Sequence, residues 1–223
     1  VNTDTRTTPR RPATPLIGAA GYVLSWIVGL LLAPAAPGRG DSASQIAAFY
    51  ADHGVAVVLS ALLVHGTAAV ALAVLAVGIA RATGVRAGLR RVVVGTGLAA
   101  ATLSVLQFAL AVITVIGTHA DTVSRTLRLS IDFVDVLKIA LLAAFVWTAT
   151  TAATRRGAAP QWLRVTAAVL IPLLLVGSAA LVGVQALDPV LAASLLALLG
   201  WAAAIGYLVA RGATQHPNRS LAA

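Results

Sequence analysis

Asp132, Asp135 and Lys138 recur at intervals of three, so on a helix they stack along one side, where opposite charges can pair, pass a proton or hold a small polar solute. Two more polar side chains, His65 and Gln107, interrupt otherwise apolar stretches. A histidine there can titrate near neutral pH, and a glutamine can donate and accept between helices. Ser104, Gln107 and Thr114 fall on one helical face, and Ser178 and Gln185 share another. Together these groups would line an outward-opening polar hollow, with His65, Gln107, Asp135 and Lys138 as its candidate substrate-binding residues. A plainer reading stands beside each. Asp135 and Lys138 can form a structural ion pair, the lysine stem snorkelling to the membrane interface. His65 can be a neutral hydrogen-bond donor between helices, and Gln107 an interhelical polar contact.

Other chemistries lose their signatures. The chain has no glutamate, which excludes HExxH metalloprotease sites and glutamate-built metal bundles. It has no cysteine, so disulfides, thiol catalysis and thiolate metal sites are excluded. No GxxxxGK[ST] phosphate loop and no GxSxG nucleophile elbow occurs. No two histidines from different helices share a level at membrane depth, so no haem and no other cofactor is expected. Asp52 with His53, and His119 with Asp121, are weak candidates for an outer divalent cation. The chain carries a net charge of +9, but its arginines flank apolar segments rather than form a basic face with stacking aromatics, so no nucleic acid is expected as a partner. Catalytic residues are not identifiable, and the balance leans away from an enzyme.

The elements that would hold these side chains are helices in a bilayer. Of 223 residues, 59% are hydrophobic and only 10% charged, and the mean hydropathy is +0.93. That leaves too little polar surface for a water-soluble globule. A crossing needs roughly 20 apolar residues. Runs of that length lie near 15–33, 54–80, 92–117, 132–153, 165–187 and 190–210. They show no period-two alternation and are rich in alanine and leucine, which favours helix over barrel strand. The expected fold is an all-α, six-span transmembrane helix bundle over 14–212, with disordered cytoplasmic tails at 1–13 and 213–223.

Twelve of the fifteen arginines lie in the first end, the gaps after the second and fourth runs, and the last end. The positive-inside rule then puts both termini in the cytoplasm. Outside, residues 34–53 should form a short interfacial helix capped by Asp41, Ser42 or Ser44, and Asp121 should cap a helix that continues into the fourth span. Pro172 should kink the fifth span. Trp26 and Trp201 should pack at mid-span, and Trp162 should anchor at the inner interface. Ala33-Pro34-Ala35 offers a signal-peptidase-like exit. Retention of the first run is expected, because Gly21, Ser25 and Gly29 lie four apart on a face suited to close packing.

The segment Ser44-Gln45-Ile46-Ala47-Ala48-Phe49-Tyr50-Ala51-Asp52-His53 resembles the (E/Q)-I-x-x-(F/Y)-(F/Y)-x-(D/E)-(H/N) stretch of a family of multi-pass membrane proteins from high-GC, actinobacterial-type bacteria, a domain of unknown function. The resemblance implies a six-helix inner-membrane protein and carries no activity. The expected function is a non-enzymatic accessory or scaffold protein, packing on a membrane partner or a second copy through small-residue faces such as Gly21/Ser25/Gly29 and Gly200/Ala204. The alternative is a small-solute or proton-coupled transporter. The lipid bilayer is the partner common to both.

Overall fold

The computed structural model describes residues 13–35, 41–117 and 121–212. Its elements are α1 (Thr14–Leu32), α2 (Ala43–Ala61), a π-helical turn (Leu62–Thr67), α3 (Ala68–Ala82), α4 (Ala87–Ile116), α5 (Asp121–Arg155), α6 (Trp162–Gly177) and α7 (Asp188–Gly212), with two short 3-10 turns between α6 and α7. No strand forms among the described residues. Both expected tails, the His119–Asp121 dyad, and the side chains of Arg125 and Arg128 lie outside what is described.

Among the described residues, five stretches are long and apolar enough to cross a membrane: Thr14–Leu32, Ser44–Ala82, Ala87–Ile116, Trp162–Val182 and Gln185–Gly212. The sixth expected span falls on α5, where residues 136–153 contain Lys138 as their only charged side chain. Large apolar side chains face outward around the bundle. Ile17, Leu31, Val70, Ile116 and Leu196 are each more than 60% exposed, a pattern that water would penalise and lipid tolerates.

The helices outrun the apolar runs that announce them. Ser42 begins α2 with a reciprocal capping box, accepting from the Gln45 amide at 3.3 Å while its own N–H donates to Gln45 Oε1 at 2.8 Å. Nothing after it breaks the helix. The expected interfacial helix is therefore the first turns of one long rod, not a separate element before residue 54. At the other end α4 takes in Arg90 and Arg91, because a helix may continue into the headgroup region where guanidinium groups are solvated. The fifth run stops sooner than expected. Pro172 lies inside α6, whose α-helical geometry ends at Gly177, and the chain turns at Gly183, where φ is +113°. A β-carbon there would be strained.

Neighbours in sequence are neighbours in space, and α7 returns to pack on α1, closing a ring of six rods. Small residues let them approach closely. A β-carbon on Gly18 would strike the backbone of Leu75, one on Gly78 would meet Pro15 N at 2.8 Å, and one on Gly177 would meet Leu191 Cα at 2.9 Å. Phe145 and Trp201 fill the centre edge to face, 5.8 Å apart, and the indole Nε1 donates to Thr150 Oγ1 at 3.0 Å. Trp26 is buried as well, whereas Trp162 is 53% exposed at the start of α6.

The arginine-bearing segments gather at one end. Pro15 at the start of α1 abuts Gly78 near the end of α3 and Gly206 near the end of α7. Gly212 meets the Ala158 backbone. Arg156 donates from Nη2 to the Gly84 carbonyl at 2.8 Å, joining the turn after α5 to the turn after α3.

Candidate functional site

Gln107 lies nine residues from the end of α4 and twenty from its start, so at 1.5 Å per residue it sits roughly 14 Å from one end and 30 Å from the other. It is nearer the end opposite the arginines. α4 packs on α5, and α5 brings Asp135 and Lys138 to the same level. Lys138 Nζ lies 2.7 Å from Asp135 Oδ1, the i, i+3 pair that the spacing announces. The same ammonium donates to Gln107 Oε1.

Burial corrects two expectations. Lys138 is 4% exposed and Gln107 1%. The lysine stem does not snorkel to an interface, because the ammonium finds its acceptors, Asp135 and Gln107, inside the bundle. Nor do these two side chains line an open hollow. Direct contacts close the space between them. Thr114 and Ser178 stay out of the cluster, since their hydroxyls donate to carbonyls of their own helices, Leu110 at 2.8 Å and Leu175 at 2.7 Å. Gln185 sits exposed on a 3-10 turn.

An ammonium has only hydrogens to offer, so the carboxamide of Gln107 must present its oxygen to Lys138 and turn its NH2 elsewhere. That Nε2 is buried and meets no acceptor in good hydrogen-bonding geometry among the described residues, although the Asp135 carboxylate stands close enough to the Gln107 side chain to act as a weak acceptor. His65 Nδ1 is likewise buried and unbonded. Its imidazole is close enough to feel the charges of both Lys138 and Asp135. His65 therefore lies beside the same cluster, and its Nδ1 makes no hydrogen bond among the described residues.

What holds His65 is the π-helical turn, which sequence reasoning missed. Leu62–Thr67 carries one extra residue relative to α-helical register, and Thr67 Oγ1 donates to Leu63 O at 2.8 Å. Such turns recur where a helix must aim a side chain at a site. The residues Leu-Leu-Val-His-Gly-Thr also suit an ordinary α-helix, so only the Gly-Thr pair after the histidine hinted at a departure.

Near the end of the bundle away from the arginines, His53 stacks on Phe49, ring centres 5.0 Å apart, with Nδ1 3.2 Å from the Phe49 carbonyl. The second candidate dyad, His119 with Asp121, includes a residue outside the described residues.

The assembled centre has a buried ion pair, an unused amide donor and an unused imidazole nitrogen within one cluster. No family model matches the chain, and neither the curated proteins nor the solved structures yield a match.

Proposed function

We propose that the chain is a multi-pass protein of a bacterial plasma membrane, with both termini cytoplasmic, that binds a small polar solute or relays protons at Asp135, Lys138, Gln107 and His65. One observation carries the reading: Gln107 Nε2 and His65 Nδ1, both buried and unbonded, beside the Asp135–Lys138 pair. Polar groups at bilayer depth cost a few kcal/mol each. A bundle that needed only to pack would do better with leucine. The orientation rests on the gathering of arginine-bearing segments at one end, and the bacterial membrane on the resemblance of residues 44–53.

The test is a thermal-shift screen of the purified protein in detergent against amino acids, sugars, polyamines and organic acids. One chemical class should raise the melting temperature of the wild type and leave Gln107→Leu and His65→Leu unmoved. If no class does so, and both variants melt higher than the wild type, the cluster is an imperfectly satisfied structural contact.

The accessory or scaffold reading keeps one specific support. Leu196, Gly200, Ala203 and Tyr207 form an exposed face of α7, and open space surrounds the position of a Gly200 β-carbon, so another helix can approach there. The Gly21/Ser25/Gly29 face no longer contributes. Gly29 packs against Val64 and Leu63, its carbonyl accepts from Ser60 Oγ at 2.8 Å, and Gly21 lies against Ala71. Gly200→Leu should release a co-purifying partner or dissolve an oligomer in mild detergent; a monomer already present in the wild type counts against this reading.

A further inference from the structure

At the arginine end, a cleft of about 510 Å³ opens between the last turns of α3 and the first turns of α4. Its rim is Arg81, Arg90 and Arg91, and its inner wall is Val77, Val94 and Gly95. The turn that creates it depends on Gly84, whose φ of +55° closes α3 with a left-handed residue and sends α4 back alongside. Three guanidinium groups from two helices thus face one opening. Among the described residues no side chain neutralises them: residues 53–120 contain no acidic residue, and none of the three arginines makes an ion pair or side-chain hydrogen bond there. Like charges brought together this way call for an anion from outside.

The apolar half of the cleft says what kind. Gly95 lies four to five residues below Arg90 and Arg91, roughly 6–7 Å further into the span. A β-carbon on Gly95 would meet nothing within 4 Å, so the wall there is bare helix backbone beside two valines. A soluble phosphate would use the rim and leave this wall unfilled. An amphiphile would use both.

We propose that this cleft is a binding site for one anionic phospholipid, its phosphate held by Arg81, Arg90 and Arg91 and an acyl chain lying along Val77, Val94 and Gly95. Basic pockets between spans at the cytoplasmic surface suit such headgroups, because that leaflet carries the anionic lipid. Arginine is suited to the task through its planar fork, which matches phosphate oxygens two at a time. The proposal is independent of the solute reading, since the cleft and the polar cluster lie toward opposite ends of the bundle.

Native mass spectrometry of the detergent-purified full chain, titrated with phosphatidylglycerol or phosphatidylcholine of matched acyl length, tests it. The wild type should retain phosphatidylglycerol selectively as a single bound molecule. Each arginine at a membrane surface is worth roughly fivefold in affinity, so Arg81→Gln/Arg90→Gln/Arg91→Gln should lose on the order of a hundredfold. Arg155→Gln/Arg164→Gln, at the same end but outside the cleft, should bind as the wild type does. Gly95→Phe keeps every arginine and fills the open wall, and it should also lose retention; it carries the test if the triple variant does not fold. Unchanged retention in Gly95→Phe, equal losses in the two arginine sets, or full displacement by glycerol 3-phosphate would each overturn the assignment, the last by showing a soluble phosphate to be sufficient.

Discussion

Removing one partner of the buried ion pair should cost more than removing both, and the two single losses should differ. The Lys138 side chain is 5% exposed and the Asp135 side chain 23%. Asp135→Asn leaves a buried ammonium with only neutral acceptors, the Gln107 Oε1 and the new amide oxygen, and no counter-charge. Breaking a buried pair this way costs about 3–5 kcal/mol, and the lysine's burial puts Asp135→Asn toward the top of that range. Lys138→Met strands the carboxylate instead, which is less enclosed than the ammonium, so about 3 kcal/mol is expected. In Asp135→Asn/Lys138→Met no charge remains. The residual cost is the lost acceptor role of Gln107, about 1–2 kcal/mol. Reversible unfolding in mixed micelles, driven by a denaturing detergent, ranks the three variants directly. A double variant as unstable as the sum of the singles would refute the reasoning, because it would mean that the two charges do not stabilise one another inside the bundle.

Two further outcomes follow from the packing. Trp201→Phe keeps the edge contact with Phe145 but loses the bond to Thr150 Oγ1; the same unfolding assay should show a loss of about 0.5–1.5 kcal/mol, and none in a Thr150→Val background beyond what that change already costs. Gly18→Val should abolish monodisperse elution in size-exclusion chromatography, since its β-carbon would strike the Leu75 backbone, whereas Gly88→Ala, in open space on α4, should raise stability by up to about 1 kcal/mol.

The helices were legible because length and hydropathy are properties of single segments. The cap at Ser42 and the start at Asp121 were legible from their residue types, but the extension of α4 through Arg90 was not, since hydropathy stops where hydrocarbon stops and the helix does not. The Asp135–Lys138 pair could be read from a spacing of three. Counting residues along each span also put His65 and Gln107 at a common depth, and the structure gathers both around that pair. Three things escaped. The π-helical turn depends on one backbone register among residues that fit an α-helix equally well. The burial of Lys138 depends on how closely α4 packs on α5, which brings Gln107 onto the ammonium. The arginine cleft depends on the turn at Gly84 facing α3 and α4 to each other; read one residue at a time, Arg81, Arg90 and Arg91 are only markers of orientation.

Because the chain has no cysteine of its own, single cysteines can be placed without background, and their labelling tests embedding and orientation together. Ser44→Cys sits at the capped start of α2 and Gly88→Cys in the first turn of α4, at the arginine end. In spheroplasts, an impermeant maleimide should label Ser44→Cys directly and Gly88→Cys only after the membrane is opened. Labelling of Gly88→Cys in sealed spheroplasts would contradict the account.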